Sequence, residues 1–359
     1  MYSTTEKSNV LVLGRDRKKI NFKINGSDIK RVASFKYLGL ILSNNGKYCE
    51  AIEEHLEKAK RASCSIIKRA KQLKLTVSCT VHIINTIVKP ILLFGCKVFC
   101  FANISSLESF YLSLLKKILV VRKSTPSYMV YGEVGCRPLR FEVRERACSF
   151  WLRIQENSSP TLANKLRKTL IKMNGTLNYV SPYATYISTN FNELGLSYMY
   201  ATPRILDTSR DISLIKSRSR DQYVQEWTEN KNNSRKALFY NMFKSKFQLE
   251  HYLDALPYKK RISLSRFRLS NHHLPIEKGR WEGTDRANRF CPLCTGNTMG
   301  DEFHYLFECK ALMNERKKYL DKNFFCHPNV FKTSQLFNSK NKITLEKLAN
   351  LVQFINSKF

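Results

Sequence analysis

Between Arg289 and Cys309 the chain reads RFCPLCTGNTMGDEFHYLFEC, with the spacing Cys291-x2-Cys294-x9-His304-x4-Cys309. Zinc prefers four tetrahedral nitrogen and sulfur ligands, and a Cys-x2-Cys turn delivers two thiolates to one corner of such a site. The second pair follows Gly300-Asp301, which reads as a turn and helix cap, so His304 projects from the first turn of a short helix. Five residues along an ideal helix, about 500° of rotation, turn Cys309 away from His304. Cys309 is therefore expected at a frayed helix end, just past the regular turns. Phe303, Leu306 and Phe307 are placed to pack under the metal. With protein ligands in all four positions no place is left for a reacting water, so the zinc is expected to be structural. His272-His273 and Cys326-His327 are spare ligand pairs that the set does not need.

Just ahead of this knuckle lies RISLSRFRLSNHHLPIEKGRWEGTDRANRF, carrying Arg261, Arg266, Arg268, Arg280, Arg286 and Arg289 with Phe267 and Trp281 interleaved. Guanidinium groups hold phosphates while aromatic rings stack on unpaired bases. The plainer reading is a solvated basic face, with Phe267 and Trp281 in the core. Chemistry on nucleic acid needs carboxylates to hold magnesium, and no Asp-Asp pair occurs in the sequence. Glu53-Glu54 falls on a helix face and Asp301-Glu302 beside the knuckle. Phosphate-cradling glycine loops and a Ser-His-Asp arrangement are also missing. Binding, not catalysis, is expected of this chain alone.

The charge agrees. The 359 residues hold 61 Lys and Arg against 29 Asp and Glu, a net +32. Such a surplus repels itself unless a polyanion shares the surface, and counterion release from RNA or DNA rewards it. An AT-rich coding bias, which inflates Lys and Asn, accounts for part of it only. The N-terminus, MYSTTEKSN, has no charged-then-apolar pattern, so no secretion is expected. Eleven cysteines then read as thiols in a reducing interior, nuclear or cytoplasmic alike. Ile83–Phe101 is interrupted by Lys89, Pro90 and Lys97, so no membrane helix is expected. The basic runs Arg15–Lys19 and Arg316–Lys318 are too short to read as nuclear signals.

Several elements must position these groups. NVLVLG, INFKINGSDIKRV with its Asn25-Gly26 turn, and FKYLGLIL read as a small N-terminal antiparallel β-sheet. After Gly46 the period changes to that of a helix, with Ile52, Leu56, Ala59, Ile66, Ile67, Ala70 and Leu73 on one stripe. A more apolar helix spans about Thr80–Phe94, kinked or ended by Pro90. The cleanest amphipathic stripe is Leu107, Phe110, Tyr111, Leu114, Leu115 and Ile118. A second helical region follows from Ser127, with loops expected at 156–160 and 200–217, and Leu345, Leu348, Val352 and Ile355 mark a terminal helix. The fold class is thus mainly α with a small N-terminal sheet, a helical bundle, a second helical region and a C-terminal zinc knuckle. The expected segments are 1–46, 47–126, 127–260, 261–325 and 326–359.

This order of segments resembles the C-terminal portion of non-LTR retrotransposon (LINE-type) reverse transcriptases. NVLVLGR, the Asn-Gly hairpin and FKYLGLIL look like the end of such a polymerase palm, with Tyr37, Leu38 and Gly39 at the primer grip. KPILLFGCKVF and the run to RKSTP resemble the thumb. YGEVGCRPL, at Tyr131–Leu139, is similar to the family's Glu-Leu-Gly-x-x-Pro-Leu segment, with Val134 in place of Leu. NHHLPIEKGRW, Cys-x2-Cys and GDEFHYLFEC are similar to its C-terminal cysteine-rich knuckle. The resemblance covers nearly the whole chain. It implies a palm edge, a thumb gripping template-primer through Lys58, Arg61 and Lys68, and a tail holding element RNA or target DNA. The family's catalytic aspartates lie upstream of the primer grip, and Met1 falls after that point. The resemblance therefore implies a fragment that awaits an N-terminal polymerase portion, with magnesium required only once that palm is supplied. The alternatives are a free-standing zinc-knuckle RNA- or DNA-binding protein, or a zinc-stapled interaction protein.

Overall fold

The computed structural model describes residues 8–14, 21–24, 26–156, 161–176, 181–201, 207–294 and 297–359, and helices dominate them. Asn25, the run Arg15–Lys19 and residues 157–160 of the expected ENSSP loop lie outside the described residues. The chain divides into two compact units, each drawn from three stretches: 1–65, 84–110 and 139–220 in the first, 66–83, 111–138 and 221–359 in the second. The helices Cys49–Gln72, Ser105–Leu119 and Thr208–Asn232 each lend residues to both. Among the described residues no helix is long and apolar enough to cross a membrane.

Among the described residues of the first unit, the expected antiparallel sheet is instead three separate two-stranded ladders. Asn9–Val10 runs parallel to Lys30–Arg31, and Lys23–Ile24 runs antiparallel to Ser27–Asp28. FKYLGLIL is not one strand: Ser34–Tyr37 folds back on Leu40–Ser43. The residues between, Leu38 and Gly39, have φ of 46° and 87°. Two successive left-handed residues make the primed turn that matches strand twist in a hairpin. Leu38 is a poor turn former, and so the turn is hidden inside an apolar run. It stays 80% exposed, while a side chain on Gly39 would meet the Phe94 ring at 3.0 Å.

The first helix follows its stripe, burying Ala51, Ile52 and Ala59, whereas Leu73 lies beyond its end and is exposed. Pro90 does not end the next helix. Val77–Ile83 widens into a π turn at Ile84–Val88 and continues as Lys89–Leu92. Pro90 has no amide to donate, and the wider turn absorbs that loss. The expected loop at 200–217 is overturned from Thr208 onward by the helix Thr208–Asn232. Asp207 caps it, its carboxylate accepting from the amides of Ser209 and Arg210 at 3.1 and 3.2 Å. Its buried row in this unit is Asp211, Ile215 and Ser219, and two polar members leave little apolar periodicity to read.

The second unit is built around the helix Tyr258–Arg268 and the terminal helix Lys342–Asn356, which pack on each other. The latter buries Leu345, Leu348, Val352 and Ile355 as its spacing predicts. Phe239, Phe243, Phe267 and Phe337 form an aromatic cluster with centroids 4.5–5.8 Å apart. Beside it lies a buried ionic network. Arg268 donates to Glu133 at 3.0 Å and to Glu250 at 2.9 Å, Tyr252 donates to Glu133 at 2.8 Å, and Lys244 pairs with Glu250. The YGEVG segment is thus a core element. Gly132 leaves room for Trp227 and Tyr240, since an added Cβ would sit 2.8 Å from both. Gly135 ends the helix Ser127–Val134 at φ 64°, where a Cβ would sit 2.6 Å from the Leu249 amide.

Candidate metal centre

The knuckle begins as a pinched loop. Phe290 pairs with Met299, the Cys291 amide donates to Thr298 O at 2.8 Å, and the Gly300 amide to Arg289 O at 2.8 Å. This closure presents Cys291 and Cys294 together, and the Leu293 amide points at the Cys291 sulfur at 3.4 Å. Asp301 then caps a short helix, its carboxylate accepting from the His304 amide at 2.9 Å. His304–Glu308 is a π turn, closed by the Cys309 amide donating back to His304 O at 2.8 Å. A bond from i+5 to i widens the turn, which brings Cys309 back to the side of His304 that an ideal helix would deny it. Cys309 sits just past the regular turns, at the expected place.

All four ligand atoms lie within 4.8 Å of one another. Cys291 Sγ is 3.9 Å from Cys309 Sγ, and Cys294 Sγ is 3.5 Å from His304 Nε2. With bonds of about 2.3 Å to sulfur and 2.0 Å to nitrogen, a tetrahedral zinc sets S–S edges at about 3.8 Å and S–N edges at about 3.5 Å. The residues fit that ion. Burial holds His304 below the ordinary histidine value, keeping it the neutral ring that a metal needs. Its Nδ1 faces the Glu308 carboxylate at 3.7 Å, which leaves Nε2 for the ion. Burial opposes the Cys291 thiolate, but the Tyr305 hydroxyl and the Leu293 and Cys294 amides outweigh it and lower its pKa. Cys309 is pushed up to about 11 by burial and by the neighbouring Cys291.

Underneath, Leu306 and Phe307 are buried, and the Phe303 and Phe307 rings meet at 5.1 Å. Sequence reasoning missed Arg316, which is fully buried. Its guanidinium donates to Leu306 O at 2.7 Å and to Cys309 O at 3.1 Å, the latter also accepting from the Leu312 amide at 3.1 Å. Its only signal was position, seven residues after the last ligand. His272 is no ligand: it lies 2.9 Å from the buried Glu302 carboxylate, which also accepts from Ser270.

The expected nucleic-acid contacts separate. Arg268 is wholly buried in the ionic network and cannot reach a ligand, a correction to its place among them. Arg289 is spent on Ile276 O at 2.8 Å and Thr284 O at 2.7 Å. Arg280 pairs with Glu277 at 3.0 Å, and Arg286 is half-buried. Phe267 is core, whereas Trp281 is 48% exposed with the Arg122 guanidinium over its ring at 4.3 Å. Arg266 is exposed and Arg261 lies over the Tyr258 ring at 5.3 Å. In the first unit, Lys58 pairs with Glu54 at 2.9 Å and Arg61 is exposed; Lys68, in the second, is exposed. Tyr37, Leu38 and Gly39 form the hairpin turn of the first unit, with Tyr37 59% exposed. Arg122, in the loop after Ser105–Leu119, was not singled out in the sequence, because nothing local marks its pairing with Trp281. Neither a family model, nor a curated protein, nor a solved structure matches the chain.

Proposed function

We propose that this chain binds nucleic acid through a basic region stapled by zinc, and that it corresponds to the thumb and tail of a non-LTR-type reverse transcriptase. The observation that carries the binding is the +32 surplus, far more positive charge than the protein's own carboxylates neutralise. The exposed Arg266 and Trp281 close to the knuckle in sequence support it, as a cation and a stacking ring are what a strand needs. The assignment to a polymerase rests on the resemblance alone. Without an Asp-Asp pair this chain grips RNA or DNA and does not itself extend a primer.

The test is titration of the zinc-loaded chain with labelled RNA and DNA across salt. Tight binding that falls by orders of magnitude between about 50 and 200 mM salt is expected; salt-insensitive or absent binding sinks the reading. Cys291→Ser is expected to lose binding along with the metal. Primer extension by the purified chain with magnesium and nucleotides would show the non-catalytic assignment to be wrong.

A further inference from the structure

Two adjoining cavities in the second unit remain unexplained by the knuckle. The first, about 570 Å³, is lined by Lys71, Lys116, Lys117, Arg122 and Arg266, and by no carboxylate. The second, about 670 Å³, is walled mainly by Ala70, Leu75, Val77, Ile118, Leu256 and Pro257, with Lys74 and Arg261 also on its lining. Ile67, Lys71, Lys117, Val120 and Tyr258 line both. They form one groove with a basic half and a more apolar half. Asp254, the one carboxylate lining the apolar half, accepts from the Ser78 amide at 3.0 Å.

Three of these cations are held in place by groups that do not neutralise them, while Lys71 and Lys117 are exposed. Arg122 lies over Trp281 and has Nη2 2.7 Å from His273 Nε2. Arg266 Nε donates to Val120 O at 3.0 Å, and Lys116 Nζ to Lys123 O at 2.5 Å. Among the described residues, the ion pairs of this unit are made by other cations, Lys236, Lys244, Lys260, Arg268 and Arg280 among them. At the junction of the halves stands Tyr258, 53% exposed and backed by Arg261. Volumes of this size suit a small ligand and exclude a duplex. An anion with an aromatic body matches both halves at once.

We infer that this groove captures an unpaired nucleotide of a bound strand, its phosphates among Lys71, Lys117, Arg122 and Arg266 and its base against Tyr258. This rests on the nucleic-acid reading above and adds that the strand is unpaired where it enters. The test uses the zinc-loaded full chain with fluorescein-labelled oligo(dT), the same strand annealed to its complement, and phosphatidylserine vesicles. Tyr258→Ala, Tyr258→Phe and Lys71→Ala/Lys117→Ala are compared, with circular dichroism and zinc content to verify folding. The single strand is expected to bind more tightly than the duplex. Tyr258→Ala should weaken it about tenfold, as loss of one stacked base does, leaving duplex affinity and fold intact, while Tyr258→Phe keeps the ring and the affinity. Equal affinity for both forms, unmoved by Tyr258→Ala, overturns the groove while nucleic-acid binding stands. No binding of either form at low salt overturns both. Vesicle binding that depends on Lys71 and Lys117, without oligonucleotide binding, gives the groove to lipid phosphate and overturns the nucleotide assignment.

Discussion

Arg266 and Arg268 stand two residues apart and have opposite environments. Arg268 has no exposure and balances Glu133 and Glu250, while Arg266 opens onto the groove. Removing one partner of a buried ion network leaves its counter-charges uncompensated, at a cost of about 3–5 kcal/mol. Urea unfolding of Arg268→Ala is therefore expected to show a loss of that order. Arg266→Ala should change stability by about 0.5 kcal/mol or less and weaken strand binding instead. If the two variants proved equally stable, the network would have been assigned too much weight. In the first unit, His55 is buried against the Phe94 and Phe99 rings. Burial, with Lys58 nearby, holds its pKa below the ordinary 6.5. The folded chain thus binds this proton less readily than the unfolded one. The contribution to stability is complete above the ordinary value and is lost as pH falls through the folded pKa. The thermal midpoint should drop between about pH 7 and pH 5.5, and drop less in His55→Gln. An equal drop in that variant would assign the effect to other groups.

The π turn His304–Glu308 shows how an element, not a residue, completes the metal site. Its closing bond returns Cys309 to the other three candidate ligands, and Arg316 ties down the carbonyls of Leu306 and Cys309. Arg316→Gln removes no ligand atom but loosens that turn and the backbone of Cys309. Supporting residues of this kind are worth about 10–100-fold in metal affinity, so chelator competition should show a loss in that range. Unchanged zinc affinity would mean that the turn holds without Arg316. The ligand set and the terminal helix were legible in the sequence because spacing and apolar period are local signals. Three features were not. FKYLGLIL hides a turn at Leu38, where folding sets a leucine in a left-handed conformation. The helix Thr208–Asn232 buries Asp211 and Ser219 among its inward positions, so it carries little apolar stripe. Arg268, read as part of a basic run, is taken inward by Glu133 and Glu250, 135 and 18 residues away, pairings that no window of sequence displays.

For the whole molecule, the +32 surplus makes salt the variable that tests the proposed binding, and the groove gives the expected response a magnitude. Each phosphate neutralised on a single strand contributes about −0.7 to the slope of log affinity against log salt. Four cations of the basic cavity, Lys71, Lys117, Arg122 and Arg266, are assigned to the strand, so one phosphate on each predicts a slope of about −2.8 for oligo(dT). Lys71→Ala/Lys117→Ala should shallow it by about 1.4 while circular dichroism stays unchanged, both lysines being exposed. A wild-type slope much steeper than this would place further contacts on the open basic surface, with the groove as one part of a longer track. A slope that the double variant leaves untouched would detach binding from the groove altogether. The surplus would then act as a diffuse field that attracts strands without seating them.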